Sequence, residues 1–363
     1  MVMLIMALLG GYSLCLLGAL TVFNRVWVTH GGSSSAGMRL SVIIPFRNES
    51  KALPHLLAGL ALQDHPAGET EFIFVDDHST DDSAAIISAS ALKGMRLLQL
   101  PDGLTGKKHA LTLGAQSATG EVLVFTDADC VHQPGWLTAV GRNFSDPMVH
   151  MAIGLVRILP YGPQSQEFSS LAAATAIAAG AGNPIMCNGA NLACRRADFF
   201  MVGGYDGNIQ IASGDDEFLM RKFIAHWPRG IRLMDDPAAV VTTGPQHGFR
   251  SFFSQRIRWA GKWRHNADPV ARAMAVLVMM VQLATIAGWW ITLSQGDVPL
   301  FITLIMRHAL EGWLLMKAAR KLGLPFRLPV FLIVSGGYPF YVILTGVISL
   351  FIKPHWKGRI ATA

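Results

Sequence analysis

Acidic side chains gather at a few places in this 363-residue chain, most of them just after an apolar run. Asp76 and Asp77 follow Glu71–Val75 (EFIFV) and lead into His78, Ser79, Thr80, Asp81 and Asp82. Asp127 and Asp129 (TDADC) close the run Glu121–Thr126 (EVLVFT), and Pro45, Arg47, Asn48 and Glu49 close Leu40–Phe46 (LSVIIPF). Gly214-Asp215-Asp216-Glu217 sets three carboxylates in a row ahead of a helical stretch, Phe218–Ile224. An Asp-x-Asp behind a strand offers oxygen ligands to Mg²⁺ or Mn²⁺, which makes Asp127 and Asp129 the candidate metal ligands. Such a metal is ordinarily completed by phosphate oxygens. Asp76 and Asp77 suit hydrogen bonds to a ribose or a base.

Other groups fit the same chemistry. Leu104-Thr105-Gly106-Lys107-Lys108 is a Gly-bearing basic turn able to meet phosphate, although it lacks the GxxxxGK[ST] spacing of a P-loop. Crowded carboxylates are the kind of setting a general base needs, which makes Asp215 and Asp216 candidates; the plainer reading is favourable charge at a helix N-terminus, about 0.3–1 kcal/mol. Gln255-Arg256-Ile257-Arg258-Trp259 reads two ways. It is an interfacial amphipathic helix with Arg and Trp at the headgroups, or a site where a planar Arg grips a diphosphate.

The elements that must carry these residues are legible too. Continuous apolar runs at Leu40–Phe46, Glu71–Val75, Met95–Leu100 and Glu121–Thr126 read as strands, separated by helical patterns such as Leu53–Leu62 and Ser79–Leu92. That alternation predicts a doubly wound α/β domain with a mostly parallel, Rossmann-like sheet covered on both faces. Ligands of such sheets sit beyond the carboxyl ends of the strands, where the acidic clusters fall. Any one Asp could be a helix cap, and Ser79 or Asp81 is the expected one.

Composition adds a membrane. The chain is 51% hydrophobic and 15% charged, with a mean hydropathy of +0.37, whereas soluble domains carry about 25% charged residues. Met3–Phe23 is uncharged and long enough to span; with no basic residue before it, an uncleaved anchor is expected rather than a signal peptide. Ala273–Ser294 and Leu328–Ile352 are further uncharged runs, the latter interrupted by Ser335-Gly336-Gly337-Tyr338-Pro339 and so bent or re-entrant. Between them, Val298–Met316 is apolar except for Arg307, His308 and Glu311, with Arg307 and Glu311 spaced to pair on one helical face. The expected division is an anchor over 1–24, a catalytic domain over 25–270 and a membrane region of two or three spans over 271–363.

His30–Gly37 (HGGSSSAG) reads as a flexible linker. Basic Lys317–Arg327, with Arg25 and the tail Lys353–Arg359, places the catalytic domain on the cytoplasmic side of the plasma (inner) membrane, although three spans after the domain would put that tail outside. A net charge of +6 without an aromatic-laced basic patch gives no nucleic-acid surface. The cysteines Cys15, Cys130, Cys187 and Cys194 lack paired C-x-x-C spacing and are expected to be free thiols.

Taken in order, the motifs resemble those of the family 2 glycosyltransferases with a GT-A fold and integral membrane segments. They are Ser41–Glu49 (SVIIPFRNE), Val75–Asp82 (VDDHSTDD), Gly106–Leu111 (GKKHAL), Phe125–Asp129 (FTDAD), Gly189–Arg196 (GANLACRR), Gly203–Asp206 (GGYD), Gly214–Leu219 (GDDEFL) and Gln255–Trp259 (QRIRW). The resemblance implies an inverting, metal-dependent sugar transfer from a nucleotide-sugar, a UDP-sugar being favoured. Asp77, with Asp76 near it, would bind the nucleoside, with Pro45, Arg47, Glu49, Lys107 and Lys108 on the donor side. Asp129, helped by Asp127, would hold Mn²⁺ or Mg²⁺ on the diphosphate.

Asp216 would be the general base, Asp215 standing where the family often has Glu. Gln255, Arg258 and Trp259 would close over the diphosphate and acceptor, and Gly189 and Asn191 would line the acceptor pocket. The F-x-V-T segment of cellulose-synthase-like members is not evident, so a lipid or saccharide acceptor at the membrane face is expected over a long polymer. The competing readings are a nucleotidyltransferase on a similar sheet and a membrane scaffold that only binds nucleotide-sugar.

Overall fold

The computed structural model describes residues 1–27, 37–64, 70–211, 213–261, 269–351, 355–356 and 359–360. The expected linker His30–Gly37, the approach Trp263–Val270 to the second span and the tail Lys353–Arg359 lie largely outside the described residues. In chain order the helices are α1 (Val2–Val26), α2 (Leu53–Ala61), α3 (Ser83–Ser88), α4 (Lys107–Ser117), α5 (Trp136–Asn143), α6 (Pro163–Gly180), α7 (Arg196–Met201), α8 (Asp215–His226), α9 (Phe249–Gly261), α10 (Pro269–Gln295), α11 (Val298–Lys321) and α12 (Leu328–Ser349). The strands are β1 (Leu40–Phe46), β2 (Thr70–Asp76), β3 (Met95–Gln99), β4 (Val122–Phe125), β5 (Cys130–Val131), β6 (Met151–Ile153), β7 (Val156–Ile158), β8 (Leu192–Arg195), β9 (Ile231–Leu233) and β10 (Val241–Thr243). Two compact units result: Val26–Leu159 with Ala178–Gly244, and Met1–Arg25 with Pro160–Ile177 and Pro245–Ala363.

The first unit is built on a seven-stranded sheet in the order β3-β2-β1-β4-β8-β6-β9. β1 is buried along its whole length, and it pairs in parallel with both β2 and β4, while β2 pairs in parallel with β3. An all-apolar strand such as LSVIIPF belongs in such a place, because helices cover both of its faces. The far half departs from a uniformly parallel sheet: β8 runs antiparallel to β4 and to β6, and β9 pairs in parallel with β6. A small sheet, β5-β10-β7, supports the turn that follows β4. The helix expected over Ser79–Leu92 is shorter than its pattern, Ser83–Ser88, because Asp76 and Asp81 engage the backbone amides of Ser79 and Ser83 and hold the chain in turns.

In the second unit, α1, Arg272–Gln295 of α10, α11 and α12 are 22–25 residues long and apolar. At 1.5 Å per residue they reach about 33–38 Å, enough to cross a hydrocarbon core of about 30 Å. α12 runs without a break through Ser335–Pro339, so the interruption expected there is a proline inside a helix. Ile5 and Leu9 of α1 pack with Val281, Ala284 and Ile291 of α10 and with Leu300 and Leu304 of α11. Arg307 Nη2 meets Glu311 Oε1 at 2.9 Å, as the spacing predicts, and Tyr12 Oη of α1 donates to that same oxygen at 3.2 Å.

Candidate active site

Because β1, β2 and β4 run parallel, their carboxyl ends open on one edge, with Phe46 in register with Asp76. The loops behind β1 and β2 are latched to each other there. Asn48 Oδ1 accepts the Thr80 N–H at 2.8 Å, the Asn48 N–H donates to Ser79 Oγ at 3.1 Å, and the Glu49 N–H donates to Ser83 Oγ at 2.8 Å. Arg47 Nη1 donates to the Asp77 carbonyl at 2.8 Å. Asn48 and His78 are the non-glycine residues with positive φ among those described, 53° and 56°, and both lie in these loops. Uncommon backbone of this kind is held only where the surroundings over-determine it, and it clusters at functional sites. The Asp77 carboxylate, 2% exposed, takes the Gly106 N–H on Oδ2 at 3.0 Å. Gly106 has φ +101° at the start of α4, so a side chain there would strain the turn that presents this amide. Pro45 is buried inside β1, where it shapes the strand.

Lys107, at the head of α4, joins the rest of the site. Its Nζ lies 2.7 Å from Asp127 Oδ1 and 2.9 Å from Asp215 Oδ2, tying the end of β4 to the start of α8. Burial works against its charge, but Asp127 and Asp215 outweigh that and hold its pKa well above the usual lysine value. Asp216, beside it and 9% exposed, accepts the Gly189 N–H on Oδ2 at 3.1 Å and the Glu217 N–H on Oδ1 at 2.8 Å. These two amides orient the carboxylate. Position 189 must be glycine for the approach, since a Cβ there would fall 2.8 Å from Asp215 Oδ2 and 3.3 Å from Lys107 Nζ.

The carboxylates of Asp127, Asp129 and Glu49 gather at the end of β4. The Asp129 carboxyl is open to solvent on one side yet pushed up to about 6, first by the protein packed around it and then by the Asp127 and Glu49 carboxylates. Thr243 Oγ1, at 3.3 Å from Asp129 Oδ2, is a weak partner. Repelling carboxylates on a half-open edge fit a hard divalent cation. Among the described residues no three His, Cys, Asp or Glu side chains form a closed cage. Asp129 and Asp127 therefore suit an ion that takes its other ligands from phosphate and water. Replacing Asp129 with Ala is expected to weaken Mn²⁺ binding by at least about tenfold, a shift read directly by metal titration of the purified protein.

The structure gives other roles to two residues expected at the ligand. Lys108, 4% exposed, donates to the carbonyls of Asn208, Ile211 and Ser213 at 2.7, 2.8 and 3.3 Å, so it clamps the loop ahead of α8 and does not face phosphate. Asn191, expected to line the acceptor pocket, has a fully buried side chain. Its Nδ2 donates to the carbonyls of Leu155 and Ala239 at 2.9 and 2.7 Å, and its Oδ1 accepts from Trp136 Nε1 at 3.2 Å. It fastens the β8 loop to the sheet beneath. Asn191→Ala leaves those groups unsatisfied and is expected to cost roughly 2–4 kcal/mol, seen as a lower thermal midpoint of the purified protein.

His132 belongs to the same buried layer and was not evident from the sequence. It packs on Trp136 at 4.0 Å between ring centroids, and its Nε2 lies 2.9 Å from Thr126 Oγ1, which itself donates to the Ala190 carbonyl. Nε2 therefore carries the proton, and burial pushes the ring's pKa down to about 3, keeping it neutral. Gln255, Arg258 and Trp259 lie on α9, in the unit with the apolar helices.

A sheet of this order with a parallel first half and carboxylates at its open edge is a GT-A-like fold. Residues 41–197 match the family model described as Glycosyl transferase family 2. The chain is 31% identical over 166 residues to the 4,4'-diaponeurosporenoate glycosyltransferase of Staphylococcus haemolyticus, covering 44% of this chain and 43% of that protein. It is 33% identical over 99 residues to the undecaprenyl-phosphate 4-deoxy-4-formamido-L-arabinose transferase of Sodalis glossinidius, covering 26% of this chain and 30% of the relative. The chain thus spans less than half the length of these curated relatives. Among solved structures, the mannosyltransferase PcManGT from Pyrobaculum calidifontis, in complex with GDP-Man and Mn²⁺, aligns with a TM-score of 0.57 at 22% identity. That alignment covers 96% of this chain and 99% of the other, and it shows that the fold is shared.

Proposed function

We propose that this protein is an inverting, metal-dependent glycosyltransferase that moves a sugar from a nucleotide-sugar, a UDP-sugar, to a lipid or saccharide acceptor at a membrane face. The observation that carries the reading is the Asp127–Lys107–Asp215 bridge set beside Asp216, whose carboxylate is oriented by the amides of Gly189 and Glu217. In the reaction an acceptor hydroxyl attacks the anomeric carbon from the face opposite the diphosphate. The new C–O bond forms as the bond to the diphosphate breaks, the electron pair leaves with the nucleoside diphosphate, and the hydroxyl proton passes to Asp216. A divalent cation at Asp129 and Asp127 would supply positive charge to the leaving group. Asp77, Asp76, Arg47 and Glu49 belong to the donor side, and Lys107 keeps Asp127 and Asp215 apart and in place. Gln255, Arg258 and Trp259 act on the diphosphate and acceptor, a role taken from the family resemblance.

The relatives' names, one on 4,4'-diaponeurosporenoate and one on undecaprenyl-phosphate, support an acceptor of lipid character, as do the four apolar helices. We place the catalytic unit on the cytoplasmic face of the inner membrane because Lys317, Arg320, Lys321 and Arg327 surround the α11–α12 turn. A panel of nucleotide-sugars with purified protein and Mn²⁺ or Mg²⁺ tests the reading. Release of nucleoside diphosphate that stops on chelation and returns with metal is the expected result. Release of pyrophosphate from a nucleoside triphosphate would establish a nucleotidyltransferase instead, and donor binding without turnover, with acceptor lipids present, would establish a binding protein.

A further inference from the structure

What holds α9 in place is a buried ion pair formed by none of the three residues Gln255, Arg258 and Trp259. Arg256 is 3% exposed and is the buried residue of this helix. Its Nε lies 3.1 Å from Glu167 Oε1 and its Nη2 2.5 Å from Glu167 Oε2, a two-point grip on a carboxylate of α6 that is itself 8% exposed. Tyr341 of α12 donates its hydroxyl to the same Oε1 at 3.3 Å. One carboxylate therefore receives bonds from two further helices.

The other side of Arg256 faces its neighbours in the motif. Its Nη1 donates to Gln255 Oε1, and its guanidinium lies over the Trp259 ring at 4.4 Å and over the Phe252 ring at 4.6 Å. Phe168, next to Glu167, meets the Trp259 ring at 6.0 Å. The guanidinium thus touches Gln255 and Trp259 at once while fixed from behind by Glu167. An apolar pair of similar volume would hold two helices together as well, and without the cost of desolvating two charges. What the ion pair adds is direction: the fork sets the rotation of α9 and the rotamers of the side chains stacked on it.

We propose that Glu167 is a positioning residue for the Q-x-x-R-W helix, acting through Arg256 to hold Gln255 and Trp259 in register for transfer. The proposal rests on the glycosyltransferase reading for its effect on turnover, and on geometry alone for its effect on the helix. The test compares full-length wild type, Glu167→Gln, Arg256→Lys and Tyr341→Phe in lipid nanodiscs. Hydrogen exchange is followed over residues 249–261, with residues 215–226 as the internal reference, alongside steady-state release of nucleoside diphosphate.

Glu167→Gln and Arg256→Lys are expected to quicken exchange in 249–261 alone and to lower kcat by about 10- to 100-fold. Donor KM should stay within about threefold, because the nucleoside contacts assigned to Asp77 and Arg47 are unchanged in both variants. Tyr341→Phe, which keeps the ion pair, should lower kcat by no more than about threefold, and it serves with Arg256→Lys if Glu167→Gln does not accumulate. Unchanged exchange over 249–261, or kcat within about twofold of wild type in both charge variants, overturns the proposal. If wild type releases no nucleoside diphosphate from any donor, the glycosyltransferase reading fails, and the exchange data alone then decide whether Glu167 holds the helix.

Discussion

Asp216→Asn is expected to lower sugar transfer by about 10²–10⁴-fold, the range a positioned general base contributes, while nucleotide binding stays close to wild type. The donor contacts we propose lie with Asp77 and the residues behind β1, whereas Asp216 is reached from Gly189 and Glu217. Two bonds to Asp216 are donated by backbone amides, one to each carboxylate oxygen. An amide in its place turns its NH₂ toward one of those donors, so some loss of stability is expected along with the loss of the base. Asp216→Glu separates the two effects, since it keeps the acceptor chemistry but moves the carboxylate. It should retain more stability than Asn and still transfer poorly, because a base displaced by about 1 Å can lose on the order of 10²-fold. Equal turnover in wild type and Asp216→Asn, measured as nucleoside diphosphate released with the acceptor present, would remove Asp216 from the mechanism.

Lys107→Met is the second variant with a large expected effect, roughly 10²–10³-fold in kcat, comparable to the loss of one preorganised electrostatic group. The lysine is the cation between Asp127 and Asp215, at 2.7 and 2.9 Å. Without it, two carboxylates face one another next to Asp216 without the ammonium that joins them, and the end of β4 is no longer fastened to the start of α8. Lys107→Arg is not expected to restore activity: the planar fork needs more room than the ammonium, and the position of Gly189, where a Cβ would fall 3.3 Å from Nζ, shows how little there is. The measurement is kcat over a range of metal concentrations, since a loss cured by excess Mn²⁺ would mean that Lys107 only supports the metal ligands.

The placement of much of this candidate site is legible in the sequence, for a physical reason. Strands buried on both faces, such as LSVIIPF, leave unbroken apolar runs, and polar residues at their carboxyl ends stand out because the strands have no use for them. Asp76, Asp77, Asp127 and Asp129 stand out in that way as candidates, and they lie at or just beyond the carboxyl ends of β2 and β4. Lys108 and Asn191 were misread because their partners are main-chain carbonyls and a tryptophan N–H, more than 30 residues away, and such partners leave no mark in sequence. α6 escaped notice entirely: Ser165, Gln166 and Glu167 are polar enough to suggest a surface, yet all three are buried. The meaning of Glu167 depends on Arg256, 89 residues later.

With the four apolar helices read as spans, the bond from Tyr12 to Glu311 has a bearing on how the chain would enter a bilayer. Its two ends are 299 residues apart. At about 5–20 residues per second of synthesis, α1 waits in the lipid for roughly 15–60 s before the helix that uses its hydroxyl exists. α11 arrives with Arg307 and Glu311 already able to neutralise each other, but the tyrosine that completes the group must come sideways through the membrane. Assembly of this unit is therefore a late, lateral event. A nascent chain stopped before residue 298 should leave α1 open to chemical cross-linking by a probe at position 12, and one released after residue 321 should hide it.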